Sequence, residues 1–437
     1  MRRRPKAPAR PLVGEIKVPG DKSVAHRAVL LAACARGTST VVGLPGGDDV
    51  AASLDAVGAL GVRVERHEHN PQVNLESGGL GALSEPNETL ALRNSGTSAR
   101  CLAGICATIE GLSVLDGDGS LRRRPMLRVV APLRQMGAAI DGRDHGNLLP
   151  LSIRGGRLRG LETDLTVASA QVKTALLLAG LAAEGRTRVT EPGPSRDHTE
   201  RMLAAAGVAV ERSTEADGRG TVAVQGGARP GARTWRVPGD ISSALYLVVA
   251  ALLVPGSDLT VAEVGLNPTR TGGLEVLARM GAALTWEVDD EWGGEPVGRI
   301  RAQASDLAPF TIAPGEVPGL IDELPILAIA AARARGTSQV TGAAELRVKE
   351  SDRIDTVVEG LLALGVQAEG RPDGFVIDGT SALGGAVIEP HDDHRIALAF
   401  AVAGLVATDN VKVLSWSCVG SSFPEFLDVL AEAQRGR

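Results

Sequence analysis

Six stretches of the chain are apolar at nearly every position for three to four helical turns. That pattern belongs to helices buried on all sides, since a surface helix would show a polar face. They begin near Lys22, Gly96, Ser169, Ile241, Asp322 and Asp392, and read KSVAHRAVLLAACA, GTSARCLAGICATI, SAQVKTALLLAGLAA, ISSALYLVVAALL, DELPILAIAAARA and DDHRIALAFAVAGL. Their spacing is about 70 to 80 residues, a repeat. Each is followed by a turn, a short β run and a second helix with a polar start, near Asp48, Arg124, Arg196, Thr269, Lys349 and Ser422. Gly61, Gly137, Gly281 and Gly365 stand where four of those second helices should be capped. Alternating runs such as VRVER, LSIRG and TVAVQ supply strands between them.

Units of this size are too long for a solenoid repeat, so they group three and three into two similar α/β domains. VPGDKSVAHR at 18–27 has an echo, VPGDISSALY, at 237–246, and the two mark the boundaries. One domain is expected from residues 1–19 together with 239–437, the other from 20–238. The VPGD segments would be crossover strands, with Gly20 and Gly239 free to act as hinges. No Ser-, Pro- or charge-rich linker separates the halves, as expected if they touch.

Chemistry gathers at the helix starts. Asp21 and Ser23 are N-cap residue types, which puts Lys22 and Arg27 in a first helical turn. Cations there meet the positive end of the helix dipole, at a cost of about 0.3–1 kcal/mol each. A bound anion reverses that sign. The echo carries Ile241 in place of Lys22 and Tyr246 in place of Arg27, so the backbone device does not need the cations. Other helix starts carry Asn94, Gly96 and Arg100; Arg122, Arg123 and Arg124; Ser169, Gln171 and Lys173; Arg196; Asp322 and Glu323; Lys349, Glu350 and Arg353; and His394 and Arg395. On one common face they would form a cationic cleft with a few carboxylates, suited to a small polyanion. Single positions have plainer readings. The three arginines at 122–124 could be a solvated loop, Arg353 could pair Glu350 or Asp352 on its own helix, and Asp322 could only cap a helix before Pro325.

Composition narrows the function classes. The 437 residues exceed one ordinary core, and hydrophobic residues make up 44%. Aromatics at 2% and a net charge of −6 argue against nucleic acid, which needs stacking platforms and a basic field. No run of eighteen apolar residues suggests a membrane span, and MRRRPKAPAR reads as a basic leader without the apolar region of a secretory signal. Cys34, Cys101, Cys106 and Cys418 lack CxxC spacing and read as reduced cysteines of a cytoplasmic protein. HDDHR at 391–395 suggests a metal by composition, yet adjacent residues at a helix start do not share a face, so no metal is expected. Neither GxxxxGK[ST] nor GxGxxG after a strand occurs, and no cofactor is expected.

The motifs GDKSVAHR, RNSGTSAR, LRRRPM, SAQVKTALLLAGL, RDHTE, NPTRTG, IDELPILAIAAA, ELRVKESDR, DDHR and SSFPEF together resemble the 5-enolpyruvylshikimate-3-phosphate synthase family, over residues 11–426. The resemblance implies two domains, each of three βαβαββ units, with the active site in the inter-domain cleft. It implies transfer of the enolpyruvyl group of phosphoenolpyruvate to the 5-hydroxyl of shikimate 3-phosphate, with release of phosphate. By the same resemblance, Lys22, Ser23, Arg27, Ser169, Ala170, Gln171, Arg196, Asp322 and Lys349 would hold shikimate 3-phosphate. Ala170 stands where many members have a second Ser, so its contact would be through backbone. Lys22, Gly96, Arg124, Gln171, Arg353 and Arg395 would hold phosphoenolpyruvate. Asp322 would act as base, Glu350 as acid, and Lys22 at the departing phosphate. A cytoplasmic monomer, with glyphosate as a possible inhibitor, is the further expectation.

Two departures stand out. A Lys that the family often has shortly before SFP is absent from CVGSSFP. GDKS, SAQVK, RDHTE and NPTR are similar to the glyphosate-tolerant branch, whereas Gly96 matches sensitive members. The nearest rival, the enolpyruvyl transferase acting on UDP-N-acetylglucosamine, uses a Cys in the loop that here reads GDGSLRRRP. A non-catalytic repeat scaffold is the alternative from another class.

Overall fold

A computed structural model describes residues 9–66, 72–216, 218–380 and 382–436. Most of the basic leader lies outside the described residues. All six apolar stretches are helices: Lys22–Cys34, Gly96–Cys106, Ala170–Gly180, Ile241–Leu253, Leu324–Arg333 and His394–Val406. Asp21, Ser95, Ser169, Asp240 and Asp393 cap five of them through their side chains, each cap contributing about 1 kcal/mol. In the remaining one, a 3-10 turn over Ile321–Glu323 leads into the helix, so Asp322 sits ahead of it and does not cap it. Burial is as complete as the pattern demands. Every residue from Ile241 to Leu252 is buried.

The second helices begin later than their polar starts suggest, at Leu127, His198, Gly272, Arg353 and Phe426, while Asp48 does open its helix. The cationic residues ahead of them therefore lie in the entering loops. Gly61, Gly137, Gly281 and Gly365 all take positive φ, between 80° and 113°, as left-handed caps require.

Among the described residues there are five four-stranded sheets and one two-stranded pair. Each four-stranded sheet begins with a parallel pair and continues with an antiparallel one, the arrangement of a βαβαββ unit. The sixth sheet keeps only the parallel pair Ala386–Ile388 and Val411–Val413, so that unit is shorter than the repeat predicts. Two units also take their first strand from elsewhere in the chain. Val13–Lys17 pairs with Asp258–Gly265, and Thr234–Arg236 pairs with Arg36–Val42.

By contacts the chain divides into two units. One takes the chain up to Pro19, then Gly239–Asp290 and the chain from Pro296 onward; the other takes Gly20–Pro238 and Glu291–Glu295. Each has its own apolar core, one around the helices at Lys22, Gly96 and Ala170, the other around those at Ile241, Leu324 and His394. The three cysteines on helices are buried free thiols, and burial pushes Cys34 and Cys106 up to about 12.

The VPGD segments are not themselves strands; the strands end at Lys17 and Arg236. A Cβ on Gly20 would fall 1.9 Å from the Gly43 carbonyl oxygen, and one on Gly239 would fall 2.9 Å from Val18 Cγ2. Close packing by itself calls for glycine at both positions. The same logic governs the helix contact at Gly104, where a Cβ would lie 2.1 Å from the Ala175 carbonyl oxygen. Gly104→Ala should therefore destabilise the protein by about 1–3 kcal/mol in urea unfolding, while Gly81→Ala, with nothing within 4 Å of its Cβ, should not. Equal stability of the two variants would contradict this packing.

Candidate active site

In the unit that contains Gly20–Pro238, the predicted residues fall at five helix entries. Lys22 opens its helix with its ammonium on Asp49, which is buried. Ser23 Oγ accepts from Arg196 Nη1 at 3.4 Å. Arg27 is buried, donating from Nε to Thr199 Oγ1 at 2.8 Å, from Nη2 to Thr174 Oγ1 at 3.0 Å and from Nη1 to the Ser23 carbonyl at 2.9 Å. Three elements thus hold one guanidinium, which fixes it before any ligand arrives.

A second cationic group surrounds Gly96. Arg100 donates from Nη1 to Gln171 Oε1 at 3.0 Å, and Gln171 Nε2 donates to Thr97 Oγ1 at 3.0 Å. Arg124 donates to Asn94 Oδ1 and, at 3.3 Å, to Ser120 Oγ. A Cβ on Gly96 would lie 2.9 Å from Arg100 Nη1 and 3.3 Å from Arg124 Nη1. Glycine here leaves room for the two guanidiniums. Ser169 caps the helix that Ala170 and Gln171 begin.

Not every helix-start cation joins these groups. Arg122 pairs with Asp116 and is exposed, as is Arg123. Lys173 is buried between Glu191 and Glu200. Beneath Lys22 a hydroxyl chain runs from His26 Nδ1 to Ser53 at 2.8 Å, on to Ser98 at 2.8 Å, and from there to Ser95 at 2.7 Å. It ties together three helices, and nothing in the local spacing of these residues announced it.

In the other unit, Asp322 is the centre. Its carboxylate lies 3.4 Å from Arg353 Nη1, 3.7 Å from Lys349 Nζ and 3.8 Å from Arg395 Nη2, and its carbonyl accepts from Arg395 Nη1 at 2.9 Å. Arg353 is 1% exposed; it also donates from Nε to Asp393 at 2.8 Å and from Nη2 to Glu350 at 2.6 Å. Burial by itself would lower the pKa of Arg353, but Asp393 and Glu350 outweigh it and raise it. For Arg395 burial is likewise outweighed, chiefly by Asp322. Both guanidiniums stay charged. Sequence reasoning named Asp322, Glu323, Lys349, Glu350, Arg353 and Arg395 but missed Asp393 as a partner of Arg353, and Arg270 and Ser242 as the buried partners of Glu323. The acidic residues beside Arg395 in DDHR, and the adjacent acids of IDELP at a helix entry, were the available signal. Among the described residues no His/Cys/Asp/Glu group is arranged to hold a metal.

A family model described as EPSP synthase (3-phosphoshikimate 1-carboxyvinyltransferase) matches residues 6–430. The 3-phosphoshikimate 1-carboxyvinyltransferase of Gloeobacter violaceus is 50% identical, covering 98% of both chains. That of Halorhodospira halophila is 51% identical over 98% of this chain and 96% of its own. The solved EPSP synthase of Acinetobacter baumannii matches with a TM-score of 0.86 at 43% identity, covering 98% of this chain and 97% of that one. The enolpyruvyl transferase NikO of Streptomyces tendae, at 15% identity and a TM-score of 0.76 over 97% and 96% of the chains, shares the fold.

Burial holds the His26 imidazole down at about 3, reinforced by Lys22 and Arg27 and only partly opposed by Asp49. In the unfolded chain it titrates near 6.5. The unfolded state therefore takes up a proton that the folded state refuses until about pH 3, so this group's contribution is full above 6.5 and lost as pH falls. At pH 4.5 the loss is about 2–3 kcal/mol. Unfolding titrations at pH 7 and pH 4.5 should show His26→Gln losing less stability than the parent by that amount, and equal losses would refute a neutral buried imidazole.

Proposed function

The chain belongs to the EPSP synthase family, and from that membership we propose how its residues divide the reaction. It transfers the carboxyvinyl group of phosphoenolpyruvate to shikimate 3-phosphate and releases phosphate, a step of the shikimate pathway. The observation that supports the residue assignment is the collection of fixed cations at helix starts in a chain whose net charge is −6. Two anionic substrates repel each other in water, and held cations both neutralise and orient them.

In this reading, Lys22, Ser23, Arg27, Ser169, Gln171 and Arg196 hold shikimate 3-phosphate, with Ala170 contributing backbone and Asp322 and Lys349 the remaining contacts. Phosphoenolpyruvate is held by Lys22, Arg124, Gln171, Arg353 and Arg395, with its approach left open at Gly96. Arg353 and Arg395 are occupied by Asp322, Glu350 and Asp393. A substrate carboxylate that takes up one guanidinium edge frees Asp322 and Glu350 for chemistry.

Glu350 gives a proton to the methylene carbon of phosphoenolpyruvate, and positive charge develops at C2. The 5-oxygen of shikimate 3-phosphate bonds to C2 as Asp322 takes the hydroxyl proton. In the tetrahedral intermediate the C2–O bond to phosphate then breaks, phosphate leaves beside Lys22, and the Glu350 carboxylate takes back a methyl proton, restoring the carbon–carbon double bond. No step calls for a metal or cofactor. The chain is taken as a cytoplasmic monomer, and glyphosate, an anion of similar size, would compete at the phosphoenolpyruvate groups; the Cβ of Gly96→Ala would crowd Arg100 and Arg124 there.

Asp322→Asn keeps the shape and most polar contacts but removes the base. Its kcat in phosphate-release assays should fall by about 10²–10⁴-fold with the KM for phosphoenolpyruvate little changed. A near-normal rate would refute Asp322 as the base.

A further inference from the structure

Lys173, Glu191 and Glu200 form a charged cluster that the reaction scheme does not use. The side chains are each 5% exposed, with Lys173 Nζ 2.6 Å from Glu191 Oε2 and 2.7 Å from Glu200 Oε1. Burying ions costs several kcal/mol each before pairing offsets it, so a trio of apolar residues would fill the same space more simply. Burial alone would lower the pKa of Lys173, but Glu200 and Glu191 outweigh it and raise it. The ammonium stays charged.

If the cluster served stability alone, the two glutamates would be equivalent. They are not. Glu200 Oε2 has no hydrogen-bond partner. Glu191, by contrast, reaches two further groups: Oε1 accepts from the Ser169 amide at 2.8 Å, and Oε2 accepts from Ser195 Oγ at 2.8 Å. Ser169 is the N-cap of helix Ala170–Gly180, and Ser195 is followed directly by Arg196. One buried carboxylate therefore ties a helix start to a loop, and Lys173, from the first turns of that same helix, holds the carboxylate. The adjoining residues repeat the link, since Thr174 and Thr199 lie 2.5 Å apart and both accept from Arg27.

We infer that Lys173 and Glu191 are positioning residues for shikimate 3-phosphate: they fix the Ser169 helix start relative to Ser195 and Arg196, while Glu200 only balances the ammonium. The inference rests on the assignment of Ser169 and Arg196 to shikimate 3-phosphate made above. Two isosteric variants separate positioning from stability. Glu191→Gln must turn its amide nitrogen toward either Lys173 or the Ser169 amide, both donors, and so loses one tie. Glu200→Gln weakens the same ammonium without touching either binding element.

Steady-state kinetics on the full chain should show the KM for shikimate 3-phosphate raised about tenfold in Glu191→Gln, with kcat and the KM for phosphoenolpyruvate within about threefold. Glu200→Gln should leave all three within about threefold. Equal shifts in both variants, or lowered Tm in both with no change in that KM, would make the cluster a core ion pair and overturn the inference. Ser195→Ala, which leaves the buried charges alone, covers the case in which Glu191→Gln does not fold. It should raise the same KM about fivefold at unchanged Tm, and an unchanged KM would again overturn the inference. Arg196→Ala distinguishes the two levels. If it leaves the KM for shikimate 3-phosphate unchanged, the substrate assignment itself falls; if it raises that KM while Glu191→Gln does not, only the positioning role falls.

Discussion

A helix buried on every side can do chemistry only at its ends, and six such helices organise this chain. Their sides are committed to Ala, Leu, Val and Ile, with hardly an aromatic residue available to fill space. Polar function is pushed into the first turns and the loops that enter them, where backbone amides are unpaired and the dipole is positive. Anions are favoured there. The cations at Lys22 and Arg395 are placed against that dipole, and they remain because carboxylates and hydroxyls from neighbouring chain entries hold them.

Those partners give the site its character. Asp49 takes the Lys22 ammonium, Asp393 takes Arg353, and Asp322 lies among three cations. Side chains already fixed by such pairs lose little freedom when a ligand replaces one partner, so affinity is not consumed in ordering long side chains. The same arrangement explains how an acidic protein can bind two acidic substrates. In the proposed reading, each cation is held by a carboxylate that a substrate anion can displace.

Much of this was legible in the sequence, because burial and helix entry are local properties. The all-apolar runs gave the helices, the glycines at 61, 137, 281 and 365 gave the caps, and the clustering of charge at the entries named most of the candidate residues. What was not legible depends on pairing across long separations. No local spacing says that Val13–Lys17 lies beside Asp258–Gly265, that the sixth sheet stops at two strands, or that Lys173 is enclosed by Glu191 and Glu200 instead of facing a ligand. The packing at Gly20 and Gly239 was hidden for a related reason. Sequence shows a missing side chain but not the carbonyl or methyl group that requires its absence.

If cations held at helix starts bind the substrates, removing the Lys22 charge should weaken that binding. Calorimetric titration of Lys22→Met with shikimate 3-phosphate should show affinity reduced at least about tenfold relative to the parent, because the variant removes a positive charge and leaves Asp49 unneutralised beside the ligand. Undiminished affinity, with the fold intact by Tm, would contradict the account.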